Sequence, residues 1–93
     1  MAWEFEWDPK KAEENLKKHR ISFQEASTVL GDILSRTIED HEHSQGESRY
    51  ITMGLSSEGR LLVVSHTDRG ERIRIISARR AFPKEVIDYE EET

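Results

Sequence analysis

The second half of the chain contains three strand-like segments in close succession, and these constrain the fold most. The segments 49–55, 61–67 and 72–78 are rich in apolar and β-branched residues, and the links between them are short and contain glycine. Links of this length cannot carry a crossover helix, so consecutive segments are expected to pair as antiparallel neighbours. The sequence therefore predicts three adjacent antiparallel strands.

The first half of the chain predicts a short strand followed by two helices. Aromatic residues alternate with polar residues over 3–8, the period of a strand with one buried face. Asp8-Pro9 is typical of a helix start, and this helix is expected to stop near Arg20. Ser22 and Glu25 have the spacing of a capping box, which opens a second helix. Its apolar face is expected to contain Phe23, Ala26, Val29 and Leu30.

Two further elements complete the predicted order. Residues 33–38 form a plausible strand, 39–48 a polar connection, and Pro83 opens a last helix. The order β-α-α-β-β-β-β-α predicts an α+β domain in which helices cover one face of an antiparallel sheet. A chain of 93 residues can bury one modest core, so residues 1–93 are expected to form a single domain.

Basic residues are concentrated in the last strands, although the net charge of the chain is −5. Residues 60–80 contain six arginines against two acidic residues, a local charge of +4. In the last strand Arg72 and Arg74 alternate with isoleucines, so packing the isoleucines under helices would turn both arginines towards the uncovered face. A bulge or an early end of the strand near Ser77 would change the side that Arg79 joins.

These arginines are candidates for binding phosphate and for stabilising negative charge in a transition state. The candidate cluster contains Arg49, Arg72, Arg74, Arg79 and Arg80. The alternative is a set of solvated strand-edge charges paired with Glu47, Asp68 and Glu71.

Four histidines, at positions 19, 41, 43 and 66, are candidates for proton transfer. Two have simpler explanations, because His19 suits the end of a helix and His66 suits a partly buried strand position. The segment Asp40-His41-Glu42-His43 has the composition of a metal-ligand cluster, but it lacks a cysteine partner and a helical spacing. No metal and no other cofactor is therefore predicted.

Composition excludes several other classes of protein. Cysteine is absent, so neither a disulfide framework nor a thiol nucleophile is available. No apolar run approaches the roughly 20 residues that span a bilayer, and the start of the chain lacks the pattern of a signal peptide. We therefore expect a cytoplasmic protein with no membrane partner.

Matches to one family run along most of the chain, from Phe5 to Glu91. In the first half they are Phe5-Glu6-Trp7-Asp8, Lys11-Ala12, Asn15, Lys18-His19, Ile21-Ser22-Phe23 and Glu25-Ala26. In the second half they are His43-Ser44, Gly46-Glu47, Arg49, Gly54, Gly59 to Val64, His66-Thr67, Arg69-Gly70, Arg74 to Arg79, Ala81, Glu85 and Tyr89. In this order they resemble the BrnT-type toxins. One departure is Arg20, where members usually carry glycine.

The resemblance implies a RelE-like ribonuclease toxin of a type II toxin–antitoxin pair, an endoribonuclease that cuts RNA and so inhibits translation and growth. The implied partner is a BrnA-type antitoxin with a ribbon-helix-helix fold. Their complex would repress its own operon, so operator DNA would be contacted only through the antitoxin.

The hypothesis that follows is metal-independent RNA cleavage by attack of the 2′-hydroxyl on the adjacent phosphorus. Arg49, Arg74 and Arg79 would hold the phosphate, and His19 or Glu47 would accept the hydroxyl proton. Lys18 would assist, and His66 is the reserve acid. The alternative function is a non-catalytic binding module whose cationic sheet docks a segment of a partner protein.

Overall fold

The structure is a computed structural model that describes residues 3–91. Its elements are, in chain order, β1 (Glu4–Glu6), α1 (Pro9–His19), α2 (Phe23–Val29), β2 (Arg36–Glu39), a 3-10 turn (His41–His43), β3 (Arg49–Leu55), β4 (Leu61–Arg69), β5 (Arg72–Arg80) and α3 (Pro83–Glu91). The predicted order of helices and strands is confirmed. The polar connection after β2 contains the short 3-10 turn, which the sequence did not indicate.

The five strands form one sheet in the order β1-β5-β4-β3-β2. Strands β2 to β5 pair as antiparallel neighbours, as the short links predict. Strand β1 joins the edge of the sheet parallel to β5, which makes the sheet mixed. Strands β1 and β5 are far apart in the sequence, so no tight turn sets their relative direction.

All three predicted helix starts are present, and side chains cap the first two. The Asp8 side chain accepts a hydrogen bond from the Lys10 amide at 2.8 Å, and the Ser22 hydroxyl accepts from the Glu25 amide at 3.0 Å. The Glu25 carboxylate does not complete a capping box, because it accepts hydrogen bonds from the Arg60 guanidinium and the Ser56 hydroxyl. Glu25 is buried, and burial alone would raise its pKa. The hydrogen bonds from Arg60 outweigh this effect and lower the pKa. This ion pair ties α2 to the turn between β3 and β4.

Helices α1 and α2 pack on one face of the sheet and enclose the core. The buried core residues come from Ile21, from α2 and from β4 and β5: Ile21, Phe23, Ala26, Val29, Leu62, Val64, Ile75 and Ala78. Three of the four residues predicted for the apolar face of α2 are in this core, and Leu30 packs against it. Trp7 contacts Phe23 edge to face with ring centroids 5.9 Å apart. Trp3 is half exposed, so the alternation in β1 only partly describes burial.

The pairing of β4 with β5 shifts by one residue between Ser65 and His66, and Ile76 is the extra residue of this bulge. Strict alternation would place Arg74 and Arg79 on opposite sides of the sheet, because their positions differ by an odd number of residues. The bulge places both on the face turned away from α1 and α2, as the sequence allowed. We call this surface the open face; the register assigns to it Arg49, Ile51, Met53, Val63, Ser65, Arg74, Ser77 and Arg79.

Helix α3 lies at the end of the sheet instead of beside α1 and α2. The Tyr89 hydroxyl donates to the Asp32 carboxylate at 2.8 Å, and that carboxylate also accepts from the Leu55 amide at 2.8 Å. The first turn of α3 borders the open face, where Glu85 and Asp88 line a groove with residues of β2 and β3. This position brings Glu85 of the acidic helix next to Arg79 of β5.

Candidate active site

A pocket of about 330 Å³ lies on the open face, where the end of α1 and the 3-10 turn meet strands β3, β4 and β5. Its polar lining consists of His19, Asp40, His43, Arg49, Ser65, Ser77 and Arg79. Its apolar lining consists of Ile51, Val63, Ile76 and Ala78. We call this concavity the site pocket. It brings together three of the residues predicted for the site, His19, Arg49 and Arg79.

Helix α1 is attached to the edge of β5 beside the site pocket by Asn15, a buried residue. The Asn15 side-chain amide donates to the Ala78 carbonyl at 2.9 Å, and its oxygen accepts from the Ala78 amide at 3.1 Å. Strand β1 pairs only with 72–74 of β5, so the Asn15 side chain takes the place of a strand neighbour at Ala78. His19 lies one helical turn after Asn15 on the same side of α1 and therefore reaches the pocket wall formed by Ile76 and Ser77.

Helix α1 ends directly after His19 because Arg20 adopts a left-handed conformation with φ of 62°. The Arg20 amide donates to the Leu16 carbonyl at 3.0 Å, which closes the last turn. This abrupt end leaves His19 at the mouth of the site pocket.

Arg49 is the first residue of β3, and the segment 40–44 is fixed against it by backbone and hydroxyl hydrogen bonds. The Asp40 amide donates to the Arg49 carbonyl at 2.8 Å. The Ser44 hydroxyl donates to the Asp40 carbonyl at 2.6 Å and accepts from the Arg49 amide at 3.0 Å. The Nε of Arg49 is buried and has no hydrogen-bond partner among residues 3–91. A Glu47 carboxylate oxygen lies 3.7 Å from this nitrogen, and the Arg49 side chain as a whole is about one-third exposed.

Arg79 extends from β5 at the other side of the site pocket and is held by α3. Its guanidinium donates two hydrogen bonds to the Glu85 carboxylate, at 2.8 and 3.0 Å, and lies 4.1 Å from the centroid of the Phe82 ring. These bonds from Arg79 lower the pKa of Glu85. The Arg79 side chain is about one-third exposed, so the guanidinium is held in one orientation while the side chain remains partly accessible.

The family model described as "Ribonuclease toxin, BrnT, of type II toxin-antitoxin system" matches residues 7–85. The chain belongs to the BrnT family of ribonuclease toxins. The match confirms the resemblance seen in the sequence and implies an antitoxin and an RNA substrate. None of the curated proteins matches the chain.

Among solved structures, the fold is similar to the ribonuclease toxin BrnT of Brucella abortus, determined at 1.1 Å resolution. The TM-score is 0.68 and the sequence identity 19%, and the alignment covers 87% of this chain and 99% of that chain. At this identity the similarity shows a shared fold. The predicted α+β class is thereby confirmed for this member of the BrnT family.

The other arginines of the predicted cluster have different surroundings in this BrnT-family chain. Arg74 donates to Glu6 at 2.8 Å, and Arg72 to Glu4 at 3.2 Å. Both acids come from β1, and they are not the acids that the sequence offered as alternative partners. Arg74 shares a row of the sheet with Arg49, two strands away, a separation of about 10 Å at the usual strand spacing. By the register, Arg80 falls on the side of β5 that faces the helices, and it is exposed.

Lys18 and Glu47 lie beside the site pocket and do not line it. Lys18 and His19 border a neighbouring depression of about 290 Å³ that shares the Ile76 and Ser77 wall. Glu47 lies 3.7 Å from the Arg49 guanidinium and 3.9 Å from that of Arg69. Lys18 is therefore placed to contact a ligand that extends beyond the pocket, and Glu47 is placed to orient the Arg49 side chain.

His66 is not brought to the other candidates. It lies on the helix-facing side of β4, is 4% exposed, and has its Nε2 atom 2.7 Å from the Thr52 hydroxyl. Burial lowers the pKa of His66, because the imidazolium form would lose its hydration. The sheet itself separates this ring from the site pocket, so the reserve acid of the sequence hypothesis cannot reach a phosphate bound there.

His43 lines the site pocket, although the sequence hypothesis named it only among four candidate histidines and gave it no role. Its Nδ1 atom lies 2.8 Å from Asp40 Oδ2, and both residues line the site pocket. Glu42 is close enough to complete a group of possible metal ligands, with ligand atoms within 4.8 Å of one another. Glu42 and His43 are exposed and Asp40 already accepts from His43, so proximity alone carries no argument for an ion. The signal for His43 was its place in the family resemblance together with Ser44 and Arg49.

Within residues 3–91, none of the helices is both long and apolar enough to cross a membrane.

Proposed function

We propose that this BrnT-family chain is a cytoplasmic endoribonuclease that cleaves RNA without a metal ion and thereby inhibits translation and growth. The observation that carries the proposal is the site pocket, in which His19, Arg49 and Arg79 meet around a concavity on the open face. Family membership supports the ribonuclease class. The pocket supports the chemistry, because it combines two guanidiniums with an imidazole and is wide enough for a phosphodiester and its riboses.

The reaction begins with attack of a ribose 2′-oxygen on the adjacent phosphorus. The O2′–P bond forms, the P–O5′ bond breaks, and the products are a 2′,3′-cyclic phosphate and a 5′-hydroxyl. Arg49 and Arg79 hold the non-bridging oxygens and stabilise the charge that grows on them in the transition state. His19 accepts the proton of the attacking hydroxyl. This division of roles requires only side chains that line the site pocket.

The remaining predicted residues act around this centre. Lys18 contacts the phosphate of a neighbouring nucleotide from the depression beside His19. Glu47 orients Arg49 and is the alternative base. Arg74 adds positive potential in the same row of the sheet as Arg49, reduced by its pair with Glu6.

The proposed partner is a BrnA-type antitoxin with a ribbon-helix-helix fold, which neutralises the toxin and links the complex to operator DNA. The alternative function, a cationic sheet that only docks a protein segment, is less well supported. The family model that matches residues 7–85 describes a ribonuclease toxin, which favours the catalytic function over a docking surface alone.

The test compares Arg79→Ala with Arg80→Ala in an RNA cleavage assay. Loss of a guanidinium that stabilises the transition state lowers kcat/KM by about 10²–10³-fold, so this loss is expected for Arg79→Ala. Arg80→Ala removes the same charge from the next position, outside the site pocket, and is expected to stay within about twofold of wild type.

Two further measurements make the comparison decisive. Arg79→Ala leaves Glu85 without its partner, so the double variant Arg79→Ala/Glu85→Gln removes the unpaired carboxylate and is expected to remain impaired. Thermal melting verifies that each variant is folded. Full activity in a folded Arg79→Ala protein would refute the role assigned to the site pocket.

A further inference from the structure

The proposed reaction needs a second proton-transfer group, because the leaving 5′-oxygen must be protonated as the P–O5′ bond breaks. His66 cannot supply this proton from the opposite side of the sheet. Among the residues that line the site pocket, the imidazoles are those of His19 and His43. If His19 takes the proton of the 2′-hydroxyl, His43 is the remaining group with suitable chemistry.

The environment of His43 is that of an oriented imidazole. Asp40 holds its Nδ1 atom at 2.8 Å, and the Asp40 side chain is only 14% exposed while that of His43 is 64% exposed. The carboxylate is therefore anchored in the fold and the ring extends into solvent at the pocket. A bond at Nδ1 fixes the ring plane and leaves Nε2 as the nitrogen that exchanges a proton with a bound substrate.

Asp40 is itself fixed by the fold, independently of His43. Its amide and carbonyl are both bound through the start of β3, directly to Arg49 and by way of Ser44. The same bonds therefore fix the position of the His43–Asp40 pair relative to Arg49, the proposed phosphate-binding residue.

The two imidazoles approach the site pocket from opposite sides. His19 comes from α1 above the β5 wall, and His43 comes from the segment fixed to β3, two strands away across the sheet. Two strand spacings place the backbones of β5 and β3 about 10 Å apart, so a phosphodiester bound between these strands would have one imidazole on each side. In an in-line displacement the attacking and leaving oxygens lie on opposite sides of phosphorus, so base and acid must also be on opposite sides.

We propose that His43, positioned by Asp40, is the general acid that protonates the leaving 5′-oxygen, an inference that rests on the function proposed above. His19 removes the 2′-hydroxyl proton as the O2′–P bond forms. His43 gives the proton on Nε2 to O5′ as the P–O5′ bond breaks, and the electron pair of that bond ends as a lone pair on the protonated oxygen. His43 is a catalytic residue in this scheme, and Asp40 is a positioning residue.

The test uses two RNA substrates of the same sequence with one scissile linkage. In one the bridging 5′-atom is oxygen, and in the other it is sulfur, a 5′-phosphorothiolate. A thiolate leaves without being protonated, so the sulfur substrate does not need a general acid. The enzyme variants are His43→Ala, Asp40→Asn, His19→Ala and His41→Ala.

The expected pattern separates the roles. His43→Ala loses about 10²-fold or more on the oxygen substrate and stays within a few-fold of wild type on the sulfur substrate. Asp40→Asn shows a smaller loss that sulfur also restores, a response that a purely structural role would not give. His19→Ala is impaired on both substrates. His41→Ala, an exposed change in the same 3-10 turn outside the site pocket, matches wild type on both.

Equal losses of His43→Ala on both substrates would overturn the assignment, as would wild-type activity on the oxygen substrate. In either case the wild-type enzyme still cleaves RNA, so the proposed function survives. If wild type cleaves neither substrate, the proposed function fails and the inference fails with it.

Discussion

Ile76 is the residue that determines which arginines can contact a common ligand. As the extra residue of the β4–β5 bulge, it reverses the alternation of β5, so that Arg74 and Arg79 both reach the open face while Ile75 and Ala78 stay in the core. The sequence left open either a bulge or an early strand end near Ser77. The structure has the bulge, which lets the apolar side chains at 73, 75 and 78 face the same side of β5. Bulges next to a binding site commonly redirect a side chain in this way.

His66 makes a prediction about stability at the same scale. Burial lowers its pKa, so the ring is neutral in the folded protein, while the unfolded chain binds a proton near the ordinary value of 6.5. The difference between the folded and unfolded pKa of His66 makes the free energy of unfolding depend on pH. This free energy is not reduced above pH 6.5, and it falls as the pH is lowered from 6.5 towards the pKa of the folded state. The change is at most about 1.4 kcal/mol per pH unit for a single group.

Urea unfolding at pH 7.5 and pH 5.5 measures this effect. His66→Gln cannot titrate and keeps a polar atom for the Thr52 hydroxyl, so its stability is expected to fall less between the two pH values than that of wild type. His41→Gln, an exposed control, is expected to keep the wild-type difference. A His66→Gln protein with the full wild-type pH dependence would contradict the account of this residue.

At the scale of elements, α1 positions His19 at the site pocket because both ends of the helix and its middle are fixed. Asp8 caps its start, Asn15 attaches it to the free edge of β5, and Arg20 ends it directly after His19. The left-handed conformation at Arg20 is unfavourable for a residue with a Cβ atom and is one that glycine adopts freely. This position is also where the sequence departs from the pattern of the BrnT family.

Replacing this residue is expected to relieve the strain. Arg20→Gly should raise the free energy of unfolding by about 0.5–1 kcal/mol, because the removed left-handed penalty exceeds the greater entropy of glycine in the unfolded chain. Arg20→Ala removes the same side chain but keeps the Cβ atom, so it should give no gain. Denaturant unfolding measures both variants. A glycine variant no more stable than the alanine variant would show that the cap is not strained.

At the scale of the whole molecule, local signals predicted more than long-range ones. The order of elements followed from hydrophobic period, caps and short links, all of which act between near neighbours in sequence. The pairing of β1 with β5 joins 4–6 to 72–74, and no local pattern specifies such a contact. The partners of Arg72 and Arg74 were missed for that reason, since both of their acids belong to β1.

The candidate site shows the same division. Arg49 and Arg79 could be chosen because they are cations at strand positions. His19 could be chosen because an imidazole can transfer a proton, although its position at a helix end offered a simpler explanation. The burial of His66 could also be predicted, because residues 62, 64 and 66 face the same side of a regular strand and Leu62 and Val64 are buried. The position of His43 depends on how Ser44 ties an irregular segment to β3, which composition and period do not encode.

The central claim is that the site pocket cleaves RNA by using the substrate's own 2′-hydroxyl. The most direct measurement is digestion of an RNA oligonucleotide in EDTA, beside an identical oligonucleotide with a single 2′-deoxy residue at the mapped scissile position. We expect the RNA to be cut to a 2′,3′-cyclic phosphate or 3′-phosphate and a 5′-hydroxyl, and the deoxy linkage to remain intact. Cleavage of the deoxy linkage at the same rate, or activity that disappears in EDTA and returns with a divalent ion, would contradict it.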